Sequence, residues 1–392
     1  MPSNRLPADL SLNATTRALA VLKSRGIDVL DLTVSNPTRV GLEYPHDFLR
    51  ALASPDALEY DPAALGAPRA REAVSRDFAR RSHSIPPEHI ALTASTSEAY
   101  SLLFKLLCDP GDGVLVPQPS YPLFEHLTVL ESVEARPYRL EYHGTWRIDI
   151  DHLRAQVHSR TKALLIVSPN NPTGSRLHRD DLVAVAELCA SRDMLLIGDE
   201  VFSDFPLDFA PHAASVLSGR DALVCSLGGL SKSVGLPQVK VGWIGFAGPA
   251  DRLDALLRAY EVIADTYLSV STPAQTALPD LLDRGAAVRT QIQHRVTGNL
   301  RALRAAVART PSVTVLTVEG GWSAVLQVPA YRSEEALVLE LLMEDHVLVH
   351  PGFFFDFERE AFLIVSLLAE PTQFARGIAR LLARASQGSA AS

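Results

Sequence analysis

The sequence predicts an α/β fold in which a mainly parallel, mixed sheet is covered by helices on both faces. Short apolar runs at 161–167, 194–198 and 222–228 lack polar alternation, which is typical of strands buried on both faces. Amphipathic helical patterns separate these runs, as in parallel sheets whose strands are joined by crossover helices.

Local patterns place the individual elements. A helix is predicted over 12–26, where a polar start at Asn13 and a stop at Gly26 enclose an amphipathic run. The segment 27–38 reads as a strand that breaks at Ser35-Asn36-Pro37. Further strands are predicted at 89–96, 114–117, 133–139, 161–167, 194–198, 222–228 and 241–247, and further helices at 68–82, 98–108, 122–132, 150–157, 178–191 and within 250–310. Strands and helices then alternate to residue 385.

The ending QGSAAS predicts a disordered tail over 386–392.

Composition excludes several classes of function. The net charge is −8 and no run of basic residues occurs, so neither nucleic acid nor an anionic membrane surface is an expected partner. The three cysteines are far apart and show no metal-binding spacing, so no metal site is predicted. The N-terminal stretch has no apolar core of a signal peptide, and no apolar run reaches about 18 residues. We expect a cytoplasmic protein.

The segment 226–243 carries the strongest chemical signal. The chain has only five lysines, and two of them, Lys232 and Lys240, lie in this otherwise uncharged, glycine-containing segment. A lysine in apolar surroundings loses its proton readily, and the neutral amine can form a Schiff base with an aldehyde cofactor. The alternative is an ordinary surface lysine on a loop.

Polar residues follow several predicted strands, where ligands bind in open parallel sheets. Ser95-Thr96-Ser97 begins a helix whose backbone N–H groups and dipole suit a phosphate. Asp199 ends an apolar strand and, if buried, needs a cation such as a protonated pyridine nitrogen. Asn171 is held between two prolines. Tyr121 offers a flat ring for stacking on an aromatic cofactor.

Each of these residues also has a purely structural interpretation. Ser95 with Glu98 would make an ordinary helix cap. Asn171 would belong to a well-formed turn, Tyr121 to the core, and Asp199 to a solvated strand end.

Together the motifs resemble those of the class I/II aminotransferases, which are fold-type I enzymes dependent on pyridoxal 5'-phosphate (PLP). The similarity runs in order from about residue 12 to residue 385. The resemblance implies a large PLP-binding domain over 45–285 and a smaller α/β domain formed by both ends of the chain, residues 1–44 and 286–385. The segments that carry it are Tyr60-x5-Gly66, Pro110-Gly-Asp112, Pro117-x-Pro-Ser-Tyr-Pro122, Ser168-Pro-Asn-Asn-Pro-Thr-Gly174, Asp199-Glu-Val-Phe202 and Leu230-Ser-Lys-Ser233.

The resemblance implies a role for each matching residue. Lys232 would form the Schiff base with PLP and move a proton during catalysis. Asp199 would pair with the pyridine nitrogen, Asn171 would hydrogen-bond the ring hydroxyl, and Tyr121 would stack on the ring. The phosphate would be surrounded by Ser95, Thr96, Ser97, Ser231 and Lys240. Tyr60 would reach the phosphate of a second subunit, which implies a homodimer with shared active sites.

Four positions depart from the family pattern. Lys240 stands where an arginine is usual, Gly229 where a serine is common, and Phe202 where a tyrosine donates to the ring oxygen. Ile364 occupies the position of the arginine that binds the substrate carboxylate, and an apolar side chain cannot do this. Arg39, just beyond Ser35-Asn36-Pro37, is the first candidate to replace that arginine, and Arg359 is the second. Ser35, Asn36 and Asn171 are the other residues expected to contact the substrate.

The sequence therefore predicts an aminotransferase that moves an amino group between an amino acid or amine and a 2-oxo acid by a ping-pong mechanism. A PLP-dependent lyase that performs β- or γ-elimination on the same fold is the alternative enzyme. A non-catalytic protein that keeps the fold is the alternative of a different class.

Overall fold

The structure is a computed structural model and describes residues 3–7 and 9–387. Of the predicted tail, residues 388–392 lie outside this described part. The helices are α1 Ala14–Ser24, α2 Pro68–Arg80, α3 Thr96–Leu107, α4 Leu123–Leu130, α5 Ile150–Gln156, α6 Arg179–Arg192, α7 Leu230–Ser233, α8 Ala250–Tyr267, α9 Thr272–Arg284, α10 Ala286–Val307, α11 Glu334–Met343 and α12 Pro371–Ala385.

The strands form three sheets. Their bounds are β1 Leu30–Asp31, β2 Ile90–Thr93, β3 Gly113–Gln118, β4 Glu134–Tyr142, β5 Trp146–Ile148, β6 Thr161–Val167, β7 Leu195–Asp199, β8 Val224–Gly229, β9 Gly242–Ala247, β10 Thr314–Val315, β11 Ser323–Gln327, β12 Val347–Leu348, β13 His350–Pro351 and β14 Phe362–Ser366.

The large sheet has eight strands in the order β2-β9-β8-β7-β6-β3-β4-β5. The five strands from β8 to β4 are parallel to one another, whereas β9, β2 and β5 each pair antiparallel with a neighbour. This confirms the predicted α/β fold with a mainly parallel, mixed sheet.

Helices cover both faces of this sheet because its central strands carry apolar side chains on both faces. Along β6, Ala163 and Leu165 belong to one hydrophobic core, and Leu164 and Ile166 belong to the other. Successive side chains of a strand point to opposite faces, so an unbroken apolar run supplies both cores.

A smaller antiparallel sheet has the order β10-β11-β14-β13, and a two-stranded parallel sheet pairs β1 with β12. Two further hydrogen bonds join the N-terminal segment to β14. The backbone N–H of Ser366 donates to the Leu32 carbonyl at 2.6 Å, and its hydroxyl donates to the Val34 carbonyl at 2.6 Å. Thr33 and Ser35 of this segment line a cavity together with Asp199 and Lys232, which lie at the carboxyl ends of β7 and β8.

The strand predicted over 27–38 is wrong in extent, since only Leu30 and Asp31 pair with another strand. The reason is that two side chains accept hydrogen bonds from residues two positions later in the chain. Asp31 accepts hydrogen bonds from the N–H and the hydroxyl of Thr33, and Asn36 accepts from the N–H of Thr38. Such local bonds favour turns over an extended ladder. The short strand β5 was not predicted.

Among residues 3–7 and 9–387, no helix combines the length and the apolar character needed to cross a membrane.

Candidate active site

A cavity of about 290 Å³ lies where the carboxyl ends of the large-sheet strands meet the small sheet. One side, which we call the large-sheet wall, consists of residues that follow strands of the large sheet, namely Thr96, Tyr100, Asn171, Asp199 and Lys232. The other side, the small-sheet wall, consists of residues in or beside the four-stranded sheet, namely Trp322, Ser323, His350, Phe354 and Ile364. Predicted residues Ser35, Tyr121 and Phe202 also line the cavity.

Larger cavities exist elsewhere in the protein. A groove of about 720 Å³ lies between α10 and α12, but the described residues that line it include no lysine and no carboxylate. The smaller cavity is therefore the better candidate, because it alone contains the predicted lysine, carboxylate and amide together.

Lys232 lies in the short helix α7, directly after β8. Its Nζ atom is 5.1 Å from the centre of the Trp322 ring and 5.5 Å from that of Phe202. Burial lowers the pKa of Lys232, and the negative charge of Asp199 partly opposes this shift. A lowered pKa increases the fraction of neutral amine, which is the nucleophilic form.

Asp199 ends β7 and is 9% exposed. The hydroxyl of Tyr100 donates to Asp199 Oδ2 at 2.7 Å, and the N–H of Val201 donates to Oδ1 at 3.3 Å. No lysine, arginine or histidine in the described part of the chain forms an ion pair with this carboxylate. Burial raises the pKa of Asp199. A buried carboxylate in this state is stabilised by a cationic ligand group.

Tyr100 is a site residue that the sequence reasoning missed. It lies on α3, four residues after Thr96, and is buried. Residues four apart share a helix face, so a tyrosine at this spacing from the predicted phosphate segment was the available signal. Burial next to Asp199 raises the pKa of Tyr100 far above its usual value, so the phenol stays protonated and keeps donating.

Asn171 occupies a tight turn between β6 and α6. The hydroxyl of Ser323 donates to Asn171 Oδ1 at 3.2 Å, which leaves the amide N–H groups of Asn171 for the cavity. Gly174 ends the turn with φ +69°, and a Cβ there would lie 2.6 Å from a methyl group of Val318. Only glycine fits both constraints, so the residues of the turn have little freedom to move.

The N-terminus of α3 borders the cavity through Thr96. Ser95 caps this helix by accepting from the N–H of Glu98 at 3.1 Å, and Glu98 in turn accepts from the N–H of Ala94. Ser95 therefore acts as the N-cap of α3, as its structural interpretation predicts. The backbone of Gly242 packs against the same turn, since a Cβ on Gly242 would lie 3.1 Å from the Thr96 nitrogen.

Other predicted phosphate contacts do not line the cavity of the single chain: Ser95, Ser97, Ser231, Lys240 and Tyr60. Lys240 is exposed and has φ +57°, two residues before Gly242. Tyr60 is 58% exposed.

The predicted substrate residues divide between cavity and surface. Ser35 lines the cavity, whereas Asn36 caps a short 3-10 helix and the side chain of Arg39 is exposed outside the cavity lining. Arg359 is exposed and lines a separate surface depression beside Phe357. Ile364 is 2% exposed and faces the cavity. Among the described residues that line this cavity, none is an arginine.

The residues of the large-sheet wall fit pyridoxal phosphate. A lysine whose pKa is lowered by burial suits the aldehyde of the cofactor, and a buried carboxylate without an ion-pair partner suits its protonated ring nitrogen. An oriented amide suits the ring hydroxyl, and a helix N-terminus suits the phosphate.

Comparison with known proteins agrees with this chemistry. The sequence profile of the family "Aminotransferase class I and II" matches residues 28–380. The chain is 28% identical over 378 residues to an alanine aminotransferase of Mycobacterium tuberculosis. The aligned region covers 92% of this chain and 86% of that protein. It is 26% identical over 356 residues to the glutamate-pyruvate aminotransferase AlaA of Escherichia coli, covering 88% of each.

Solved structures share the fold. An alanine aminotransferase from Pyrococcus furiosus superposes with a TM-score of 0.87 at 24% identity, covering 98% of this chain and 99% of that one. An aminotransferase from Escherichia coli gives a TM-score of 0.86 at 23% identity, covering 99% and 98%. The chain belongs to the class I and II aminotransferases, and is a PLP-dependent transaminase of fold type I that acts on amino acids and oxo acids.

Proposed function

We propose that the cavity is the transamination site and that the residues of the large-sheet wall carry out the reaction. The observation that carries this proposal is that one cavity holds both a lysine whose pKa is lowered by burial and a buried carboxylate that lacks an ion-pair partner in the described chain. The aminotransferase relatives favour transamination over elimination.

Each side chain has a defined task in this proposal. When bound, pyridoxal phosphate supplies an aldehyde that accepts the amino group and a ring that withdraws electrons from it. Lys232 Nζ would hold the aldehyde before the substrate arrives, and afterwards it would accept the proton of the substrate α-carbon and donate it to the aldehyde carbon of the cofactor. Asp199 stabilises positive charge at the ring nitrogen, and Tyr100 holds Asp199 in place.

Three further groups position the cofactor. Asn171 donates an N–H to the ring oxygen, because its own oxygen accepts from Ser323. Tyr121 covers the ring face. The first turn of α3 would hold the phosphate through Thr96, and Ser95, Ser97, Ser231 and Lys240, which lie outside the cavity lining of the single chain, are the further proposed contacts.

The proposal includes a homodimer in which Tyr60 reaches the phosphate of the other subunit. Four large side chains are exposed in the single chain, namely Leu58 by 91%, Tyr60 by 58%, Tyr267 by 54% and Leu268 by 70%. The two segments that contain them are joined by a hydrogen bond from the N–H of Ala63 to the Ser269 hydroxyl at 2.9 Å. Exposed apolar residues gathered in this way are typical of a protein interface. Sedimentation velocity should therefore give a dimer mass.

The domain division is also part of the proposal, with residues 1–44 and 286–385 forming the small domain and 45–285 the large one. The parallel pairing of β1 with β12 supports it. We further propose a cytoplasmic location, which fits the three free cysteines Cys108, Cys189 and Cys225.

A panel of amino donors tests the function directly. Each donor is mixed with the cofactor-loaded protein, and the visible spectrum and released ammonia are both recorded. Transamination predicts loss of the absorption of the aldehyde form without ammonia, and its recovery when an oxo acid is added. Ammonia released in proportion to consumed donor would contradict transamination and indicate a lyase.

A further inference from the structure

The small-sheet wall has an unusual composition for a site that binds a charged substrate. Ile364 faces the cavity from β14, at the position where the resemblance to the family implies an arginine. Its neighbours across the sheet are Val325 on β11 and His350 on β13. Side chains of directly paired residues in an antiparallel sheet stand on the same face, so His350 stands beside Ile364.

His350 is the only imidazole among the described residues that line this cavity. Within the described part of the chain, its ring nitrogens take part in no side-chain hydrogen bond and no ion pair. An imidazole that faces a cavity without such partners has a donor and an acceptor available for a ligand. No other histidine is adjacent to Ile364 in the sheet.

The His350 ring is held in a fixed orientation. It stacks on Phe354 with ring centres 5.0 Å apart and planes 6° apart, and it meets the edge of Phe355 at 5.6 Å. Ring packing on two sides restricts rotation of the imidazole, so the direction of its N–H is set before a ligand binds.

Aromatic groups form most of the remaining surface around this ring. Trp322 lies edge-on to Phe202 at 5.2 Å, and both line the cavity with Phe354. Among the described lining residues the charged groups are Lys232 and Asp199, and the proposed function already uses both. A substrate side group that meets this wall finds apolar ring faces and no counter-charge.

We propose that His350 binds the carboxylate of the substrate, in place of an arginine, and that the aromatic groups of the small-sheet wall select amino acids with aromatic or large apolar side groups. This inference rests on the proposed transaminase function and adds its substrate class. Burial lowers the pKa of free His350, and Asp31 opposes that shift. A bound carboxylate would act in the same direction as Asp31 and strengthen the hydrogen bond.

The test compares phenylalanine, 2-phenylethylamine and alanine as donors at a fixed oxo-acid concentration. Phenylethylamine keeps the ring and lacks the carboxylate, whereas alanine keeps the carboxylate and lacks the ring. Native enzyme should have a higher kcat/KM for phenylalanine than for either. His350→Leu should raise the KM for phenylalanine about 10-fold or more, the effect of losing a hydrogen bond to a charged group, and should change the KM for phenylethylamine less than twofold.

Two variants serve as controls. His350→Gln retains an N–H donor and should restore part of the phenylalanine KM. His294→Leu removes an exposed histidine on α10 and should leave all three donors unchanged. Melting temperatures and cofactor absorbance verify that each variant is folded and loaded.

A binding measurement makes the inference independent of turnover. Calorimetry on the cofactor-loaded protein should give tighter binding of 3-phenylpropanoate than of 3-phenylpropanol, and His350→Leu should abolish this difference. Equal effects of His350→Leu on phenylalanine and phenylethylamine, or a native preference for alanine, would overturn the inference. If no donor is transaminated, the proposed function fails, while the calorimetric result still decides the role of His350.

Discussion

The two walls of the cavity differ in how much of their chemistry is fixed by the fold. The large-sheet wall collects polar residues at the ends of neighbouring strands, and each has a defined hydrogen-bond or electrostatic setting, such as the bond from Tyr100 to Asp199. The small-sheet wall presents rings, Ile364 and one imidazole without a side-chain hydrogen bond among the described residues. In our proposal, the large-sheet wall holds the cofactor and the small-sheet wall determines the substrate.

Replacing Asp199 should have a large effect on catalysis and little effect on folding. Asp199→Asn removes the charge proposed to stabilise the ring nitrogen, and losing such an electrostatic partner lowers kcat by about 100-fold. The cofactor-free variant should be at least as stable as the native protein, because a buried carboxylate without an ion pair is costly. Asp151→Asn, at an exposed carboxylate, is the control for both measurements. A loss of stability as large as the loss of activity would assign Asp199 a structural role.

Tyr100→Phe should have a smaller effect on the same wall. It removes the 2.7 Å hydrogen bond to Asp199 and retains the aromatic packing against Phe124. We expect kcat to fall about 10-fold, in line with the loss of one hydrogen bond to a charged group. Steady-state kinetics measure this, with Tyr331→Phe at the surface as the matched variant. Unchanged kcat in Tyr100→Phe would show that Asp199 needs no support from Tyr100.

Because burial lowers the pKa of Lys232, we expect the stability of the cofactor-free protein to depend on pH. The folded-state pKa of Lys232 lies below its unfolded value, so the unfolded chain binds more protons between the two values. The free energy of unfolding should therefore rise with pH up to about 10.4, by at most about 1.4 kcal/mol per pH unit from this group.

Urea unfolding over a pH series measures this slope. Lys232→Met lacks the titrating group, so its advantage over the native protein should shrink as pH rises toward 10.4. Parallel curves for the two proteins would mean that Lys232 titrates like an exposed lysine.

The smallest effects are expected at the two arginines outside the cavity. Arg39→Ala and Arg359→Ala should each change the donor KM less than threefold, because both guanidinium groups are exposed and neither lines the cavity. Donor kinetics with phenylalanine and alanine test this. A change of about 30-fold, equivalent to ~2 kcal/mol, would identify that arginine as the carboxylate ligand and would move substrate recognition away from the small-sheet wall.

The same contrast explains what the sequence could predict. Lys232, Asp199 and Asn171 follow unbroken apolar strands, and parallel strands bring their carboxyl ends to one edge, so local patterns were sufficient. Tyr100 was missed because a tyrosine inside an amphipathic helix looks like any core residue.

His350 and Trp322 could not be located from the sequence, since their position depends on how the small sheet packs against the large one. The pairing of His350 with Ile364 joins residues 14 positions apart through strands only two and five residues long. Strands this short give too little alternation to define a register in advance.

The most direct test of the account is to locate the cofactor on the chain. Protein loaded with pyridoxal phosphate is reduced with borohydride, digested and analysed by mass spectrometry. We expect a single modified lysine, Lys232, among the five in the sequence, and no modified peptide from Lys232→Ala. Modification of Lys240 or another lysine in place of Lys232, or equal labelling of Lys232→Ala, would contradict it.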